Sequence, residues 1–450
     1  MKLTFYGATN TVTGSKFLVT AGKTNILVDC GIFQGVKKLR LKNWDKIPIS
    51  PDKIDAVILT HGHIDHSGYL PILVKDGFAG PIYCSEPTKD LCEILLPDSG
   101  HIAEEDARYA NRKGFSKHQP ALPLYTENDA LKALEYFKPF DINLPLKIGG
   151  LTITANSVGH ILGAICIRVS DGNNSILFSG DIGRYTDLLE NRPDGAPGGN
   201  WVVMESTYGD RNHLDIDPIT EIAKVVNTIA EQKGVLIIPS FAVGRAQILL
   251  YCLHQAMKKK LIQPLPIYLN SPMATKVTEL YQKHADWHRL SEAQCEKTFS
   301  IAKYIRTVDE SKSLNRKNGP MIIISASGML TGGRVLHHIK SFGGDPKNII
   351  LLPGFQAPGT RGASLINKAS SIKIHGEYIP INAKVLHWDL LSAHADQRDL
   401  IKWLSKSELM PKKVFLVHGE PQASDSLRRI IKDKLHIKVE IPSMGGSYEI

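Results

Sequence analysis

His61-Gly62-His63-Ile64-Asp65-His66 packs three histidines and an aspartate into six positions. It follows a short apolar run, Ala56–Leu59, that reads as a strand. Side chains alternate along extended chain, so His61 and His63 point the same way. Asp65 and His66 then open the next turn, ahead of Gly68. Four ligand-type residues within six positions suit two adjacent metal ions; the bland alternative is a solvated polar turn. Histidine is also the compositional outlier, at 17 of 450 residues with several in tight clusters, which points to a metal site or acid–base chemistry.

One hexamer cannot saturate two ions. Tetrahedral zinc takes about four N, O or S ligands, one place staying open at a catalytic site. The remaining ligands are expected from other strand ends. His160 lies in Ser157-Val158-Gly159-His160, Asp181 in Ser179-Gly180-Asp181, and His418 in Leu416-Val417-His418-Gly419-Glu420. Each follows an apolar run and has glycine beside it. Asp29 and Glu205 also stand just past strand-like runs, Ile26–Val28 and Trp201–Met204. Loops at strand ends are where α/β folds carry chemistry.

At 450 residues the chain suggests two or three domains, and 42% hydrophobic with 22% charged residues excludes general disorder. Lys plus Arg exceeds Asp plus Glu, 54 to 45, which is compatible with a polyanionic partner. No run of about 18 apolar residues exists, so no membrane span is expected. The start, Met1–Gly7, has no apolar signal core and reads as a first strand. Six scattered cysteines with no C-x-x-C pair argue against a disulfide framework and predict a reducing, cytoplasmic location. From about Asp210 the rhythm changes. Val235–Pro239, Ile267–Leu269, Met321–Ser325 and Asn348–Leu352 read as strands, with helices after the first three. That pattern predicts an α/β insertion with a parallel sheet. After Ile379 the strand-and-helix alternation resumes. Glu104–Lys117 reads as a charged surface helix and Asn191–Asn200 as a loop.

Asp29, the H-x-H-x-D-H run, His160 and Asp181 together resemble the metallo-β-lactamase superfamily. Glu205 in Met204-Glu205-Ser206-Thr207-Tyr208-Gly209, His394 in Ser392-Ala393-His394-Ala395-Asp396, and His418 look like three further motifs of its β-CASP branch. The resemblance runs in order from Gly7 to Glu420 and is to the 3′-end-processing endoribonucleases and their stand-alone prokaryotic relatives. It implies an α/β fold: an αββα sandwich with an inserted α/β β-CASP domain. The expected domains are 1–207 and 383–450 for the sandwich and 208–382 for the insertion, which would act as a lid. Two zinc ions per chain are implied. His61, His63 and His160 would hold one, Asp65, His66 and His418 the other, and Asp181 would bridge. Asp29 would orient the hexamer through hydrogen bonds.

The implied reaction is hydrolysis of single-stranded RNA by a zinc-activated hydroxide, leaving 5′-phosphate and 3′-hydroxyl ends. His394, held and charged by Glu205, would protonate the leaving oxygen. Asp65 and Asp29 complete the catalytic candidates. Endonucleolytic cutting is expected, with 5′-exonuclease activity and a homodimer left open. Neither an added RNA-binding domain before Leu3 nor a long C-terminal extension is expected.

Three glycine-containing segments follow strands of the insertion: Pro239–Arg245, Ser325–Arg334 and Gly354–Gly362. Backbone N–H groups in such turns favour anions. Resemblance to β-CASP segments nominates Ser240, Arg245, Ser327 and Gly328 as phosphate contacts. Phe241 and Phe355 are expected in the core. The basic run Lys37-Lys38-Leu39-Arg40-Leu41-Lys42 reads as a solvated face. The competing functions are a DNA-processing β-CASP nuclease, a small-molecule metallo-hydrolase and an inactive RNA-binding scaffold.

Overall fold

The computed structural model describes residues 1–114, 116–357 and 359–450. The chain forms two compact units, Met1–Asn212 with His394–Ile450, and His213–Ala393. The expected boundaries stood at 207/208 and 382/383.

The first unit holds two seven-stranded sheets. One runs Ser447–Glu449, Lys2–Phe5, Phe17–Ala21, Thr24–Val28, Ala56–Ile58, Ile82–Cys84, Phe137–Pro139. The other runs Lys438–Glu440, Lys413–Val417, Trp201–Glu205, Ser175–Phe178, Ile165–Ser170, Leu151–Ser157, Leu146–Ile148. Aromatic side chains join their inner faces: Phe5 lies 5.2 Å from Phe415, and Phe17 stacks on Phe178 at 5.9 Å. Burying both inner faces excludes water from the sandwich, which is its main source of stability. Outside the first sheet, Leu27, Val57 and Ile82 share a buried cluster with Leu70, Leu73 and Leu96 of two helices, Leu70–Lys75 and Glu86–Lys113. Helix Pro421–Leu435 packs on strand Lys413–Val417 of the second sheet.

The helix expected at Glu104–Lys117 is instead the second half of a 28-residue helix, Glu86–Lys113. Its first half buries Leu91, Leu95 and Leu96, so its apolar residues are core. The Ser85 hydroxyl accepts the Thr88 N–H to start the helix, and Gly114, at φ 66, ends it in the left-handed conformation that glycine tolerates best.

The second unit is built on a six-stranded sheet, parallel throughout: Ala302–Tyr304, Ile267–Leu269, Met321–Ser325, Val235–Pro239, Ile349–Leu352, Lys384–His387. Four strands, Ile267–Leu269, Met321–Ser325, Val235–Pro239 and Ile349–Leu352, are buried at every residue, as helices on both faces require. A helix follows the fourth expected strand too: Thr360 caps the Ala363 N–H and opens Arg361–Ile366. Strand Lys384–His387 pairs with Ile349–Leu352, so the sheet continues past residue 382. Among the described residues, no helix is long and apolar enough to cross a membrane.

Candidate metal centre

The chemistry-bearing residues of the first unit, His394 apart, sit at or just beyond strand ends. Asp29 follows Thr24–Val28, the hexamer follows Ala56–Ile58, His160 follows Leu151–Ser157, and Asp181 follows Ser175–Phe178. Glu205 ends its strand and His418 follows Lys413–Val417. Three of these strands are neighbours in parallel register: Trp201–Glu205 lies between Ser175–Phe178 and Lys413–Val417. Parallel pairing delivers their C-terminal ends to one edge. His394 joins through a single antiparallel bridge to Gly183.

Four ligand atoms form a tight group. His63 Nδ1 lies 3.1 Å from His61 Nε2 and 3.2 Å from His160 Nε2. Asp181 Oδ2 lies 3.4 Å from His61 Nε2 and 3.5 Å from His160 Nε2. Atoms coordinated at about 2.0–2.1 Å around a tetrahedral ion stand roughly 3.3–3.4 Å apart, so this spacing suits one. A second, looser group faces the other oxygen of Asp181. His66 Nε2 is 3.4 Å from Asp181 Oδ1, and His418 Nε2 is 3.2 Å from Asp65 Oδ2. Asp181 Oδ1 is buried and accepts no hydrogen bond among the described residues.

The electrostatics fit cations as well. Asp29, Asp181 and Glu205 are buried and Asp65 nearly so, and every ion pair they make among the described residues is with histidine. Burying so many carboxylates without lysine or arginine is costly unless another positive charge is supplied. Burial pushes the imidazoles of His61 and His63 down, to about 3 and about 4, and holds that of His160 well below its ordinary value. These three are neutral bases, the form that ligates. Burial would raise Asp65 and Asp181, but the surrounding imidazoles override it and keep both ionised. For His66, burial acts downward and the carboxylates of Asp181 and Asp29 more than reverse it. The residues present therefore fit the divalent metal that a metallo-β-lactamase fold implies.

Asp29, at φ 57, turns its carboxylate back under the hexamer. Its Oδ1 accepts the Thr60 N–H at 2.8 Å, and its Oδ2 accepts the His66 Nδ1–H at the same distance. The Thr60 hydroxyl donates to Asp29 and stands 3.0 Å from His61 Nδ1. Accepting that Nδ1–H leaves the His61 lone pair on Nε2, facing the centre. His394 Nδ1 lies 3.3 Å from both Glu205 oxygens and 4.0 Å from Asp181 Oδ2. Burial lowers this imidazole, and Glu205, Asp181 and Asp65 more than compensate, lifting it to about 9. Glu205 is itself fixed by the Ile182 N–H at 2.6 Å.

Four residues around the site had no sequence signal of their own. Thr60 orients Asp29 and His61; only its position before the hexamer hinted at it. The Thr207 hydroxyl is 3.1 Å from His418 Nδ1, and the Ser15 hydroxyl 3.3 Å from His66 Nε2. Lys16 is fully buried, and its ammonium donates to the Gly31 carbonyl between the rings of Phe33 and Tyr69.

The expected phosphate contacts lie in the second unit, where the three strand-end segments meet. Gln356 donates to the Gly328 carbonyl at 3.0 Å, and a Cβ on Gly328 would stand 3.0 Å from the Phe241 ring. A Cβ on Gly354 would stand 2.3 Å from the Arg245 guanidinium. The Ser327 hydroxyl is exposed and pairs with Thr331 Oγ1 at 2.9 Å. Ser240 is buried, and its hydroxyl donates to the Phe241 carbonyl. Pro358 lies outside the described residues. The expectation that Phe241 and Phe355 are core is corrected: they are 43% and 56% exposed. The sheet beneath is already closed by its own Ile, Leu and Val side chains, so the loop aromatics have no core to enter.

Three family models match the chain: the metallo-beta-lactamase superfamily over residues 11–208, the Beta-Casp domain over 246–365, and the Zn-dependent metallo-hydrolase RNA specificity domain over 378–442. Ribonuclease TTHA0252 of Thermus thermophilus is 34% identical, over 96% of this chain and 96% of its own. Transcription termination factor FttA of Methanocaldococcus jannaschii is 29% identical over 99% of this chain and 71% of its own. Integrator complex subunit 11 of Danio rerio is 28% identical over 100% and 74%. A crystal structure of an Enterococcus faecalis protein of unknown function shares the fold, with a TM-score of 0.56 at 15% identity, covering 100% of this chain and 99% of that one.

Proposed function

We propose that this chain, which belongs to the metallo-beta-lactamase superfamily and carries its Beta-Casp domain, is an RNA-cleaving metallo-hydrolase that cuts single-stranded RNA internally. The observation that carries this reading is the convergence of His61, His63, His160, Asp181, Asp65, His66 and His418 beside the His394–Glu205 pair. His61, His63 and His160 would hold one zinc ion and Asp65, His66 and His418 a second, with Asp181 between them. When bound, such ions supply Lewis acidity, lowering the pKa of water toward neutral and drawing charge from phosphate oxygens.

The protein's own groups do the rest. Asp29 and Thr60 lock the His66 and His61 rings, so the ligand lone pairs are aimed before substrate arrives. Glu205 faces His394 Nδ1, which leaves Nε2 to hold a proton for the substrate. As water adds to phosphorus and the P–O3′ bond breaks, that proton passes to the departing 3′ oxygen. The products are a 5′-phosphate and a 3′-hydroxyl. A general acid of this kind contributes about 10²–10⁴-fold. Phe241 and Phe355, exposed beside Ser327, Gly328 and Arg245, would stack on bases while those residues meet phosphates. Six buried free cysteines fit a reducing compartment.

The test incubates purified protein with end-labelled single-stranded RNA and matched DNA, using wild type, His63→Ala and His394→Ala, with a chelator control. Internal RNA cuts bearing 5′-phosphates are expected, abolished in both variants and on chelation. Zinc should stay in His394→Ala and fall in His63→Ala. Intact RNA beside rapid lactam or thioester turnover would replace this reading with a small-molecule hydrolase, and preferential DNA cutting with a DNA nuclease.

A further inference from the structure

The first unit carries a basic, aromatic platform that the candidate metal centre does not use. Val36–Lys46 contains five cations, Lys37, Lys38, Arg40, Lys42 and Lys46, against one carboxylate, Asp45. Helix Lys37–Leu41 buries none of its residues. Trp44 is 56% exposed, although an indole is among the most favourable side chains to bury. None of the five cations makes an ion pair among the described residues. A charged face that merely keeps a helix soluble commonly alternates signs, and this one does not.

The platform is fastened to the loop that leaves the metal centre. Asn43 holds Phe33 from both sides, its Oδ1 accepting the Phe33 N–H at 2.7 Å and its Nδ2 donating to the Phe33 carbonyl at 2.8 Å. The Tyr69 hydroxyl donates to the Asp45 carbonyl at 2.8 Å. Two residues before Phe33, Gly31 lies against the Asp65 carbonyl. A short, braced path thus joins Trp44 to Asp65. On the neighbouring helix, Arg40 acts electrostatically on Asp106, and Tyr109, one turn further, is exposed with Arg112 over its ring at 5.6 Å.

We infer that Lys37, Lys38, Arg40, Lys42 and Trp44 form a remote subsite for single-stranded RNA, on which the strand entering or leaving the metal centre rests, with phosphates on the cations and a base stacked on the indole. This rests on the proposed RNA-cleaving function. The chemistry is that of sequence-tolerant single-strand binding, a positive track with an aromatic face. A double helix hides its base faces, so the open indole favours unpaired strands.

The experiment compares wild type, the combined Lys37→Ala/Lys38→Ala/Arg40→Ala/Lys42→Ala variant, and Trp44→Ala. Each is given a single-stranded RNA of about 30 nucleotides, long enough to occupy centre and platform together, and one of about six, near the lower end of single-strand site sizes. For the long RNA, KM should rise roughly ten-fold in both variants with kcat unchanged, while kcat/KM for the short RNA stays at the wild-type level. The salt dependence of log KM should flatten in the lysine–arginine variant by about 0.7 for each phosphate the variant no longer neutralises, and stay as in wild type for Trp44→Ala. An unchanged KM on long RNA, or equal losses on both lengths, would overturn the subsite. Equilibrium binding of the long RNA, read by fluorescence anisotropy, separates the two claims. If wild type cuts nothing, the proposed function fails, yet weaker binding by both variants still supports the platform. Equal binding by all three proteins overturns it and leaves the surface to an acidic protein partner. All five side chains are exposed or half-buried, and coincident thermal melts of the three proteins exclude misfolding.

Discussion

Replacing Asp29 by Asn isolates what one buried carboxylate does for the centre. Asn tolerates the left-handed backbone that Asp29 adopts at φ 57, whereas Ala would add strain there. The Asn oxygen can still accept the Thr60 N–H. Its amide group, however, would face the His66 Nδ1–H that Asp29 Oδ2 now accepts at 2.8 Å. A charge-assisted hydrogen bond becomes two opposed donors. Hydrogen bonds to charged groups are worth about 1.5–3 kcal/mol. At about 1.4 kcal/mol per factor of ten, that is roughly ten- to a hundred-fold, the range found when partners of ligating histidines are removed. Asp29→Asn should therefore bind divalent metal about ten- to a hundred-fold more weakly, because His66 turns away to relieve the clash. Competition with a chromophoric chelator measures the affinity, and urea melts of the metal-free proteins measure the cost in stability. Affinity within about two-fold of wild type, with the same urea midpoint, would refute the role given to Asp29.

Gly31→Ala would place a Cβ 1.6 Å from the Asp65 carbonyl oxygen and 2.4 Å from the His66 nitrogen, both backbone atoms of the ligand turn. A loss of about 4 kcal/mol or more in urea melts is expected, together with loss of bound metal; a wild-type midpoint would refute the packing described. Lys16 is pushed by burial from 10.5 down to about 8, with Cys30 acting in the opposite sense. Between those values the unfolded chain binds the extra proton, so stability rises with pH, and below about 8 the cost is constant. The stability of wild type relative to Lys16→Met should improve by about 3 kcal/mol from pH 8 to 10.5 and stay flat below, a pattern that urea melts across that range would expose or exclude. Chelating the metal should lower the melting temperature reversibly, since a ligand at about a thousand times its Kd contributes about 4 kcal/mol. A melting curve indifferent to chelator and to restored metal would argue against ligation by these residues.

The local half of the centre was legible in the chain's order of residues. His61, His63, Asp65 and His66 lie within six positions, so bond geometry alone keeps them together wherever the strand goes. The unalternating runs Val235–Pro239 and Met321–Ser325 likewise announced a covered parallel sheet, because only a strand packed on both faces can be apolar throughout. Resemblance carried the order of the distant motifs but no distances. Tertiary structure alone set His418 Nε2 against Asp65 at 3.2 Å, across 353 positions, and gave His66 to Asp29. It also made Lys16 a buried ammonium, exposed Phe241 and Phe355, and turned the charged stretch after Glu104 into the exposed tail of a longer helix whose first half is core. These outcomes depend on which surfaces meet when each unit closes over its own core. Burial then decides which carboxylates stay ionised and which imidazoles stay neutral, a property of the assembled neighbourhood that no single segment carries.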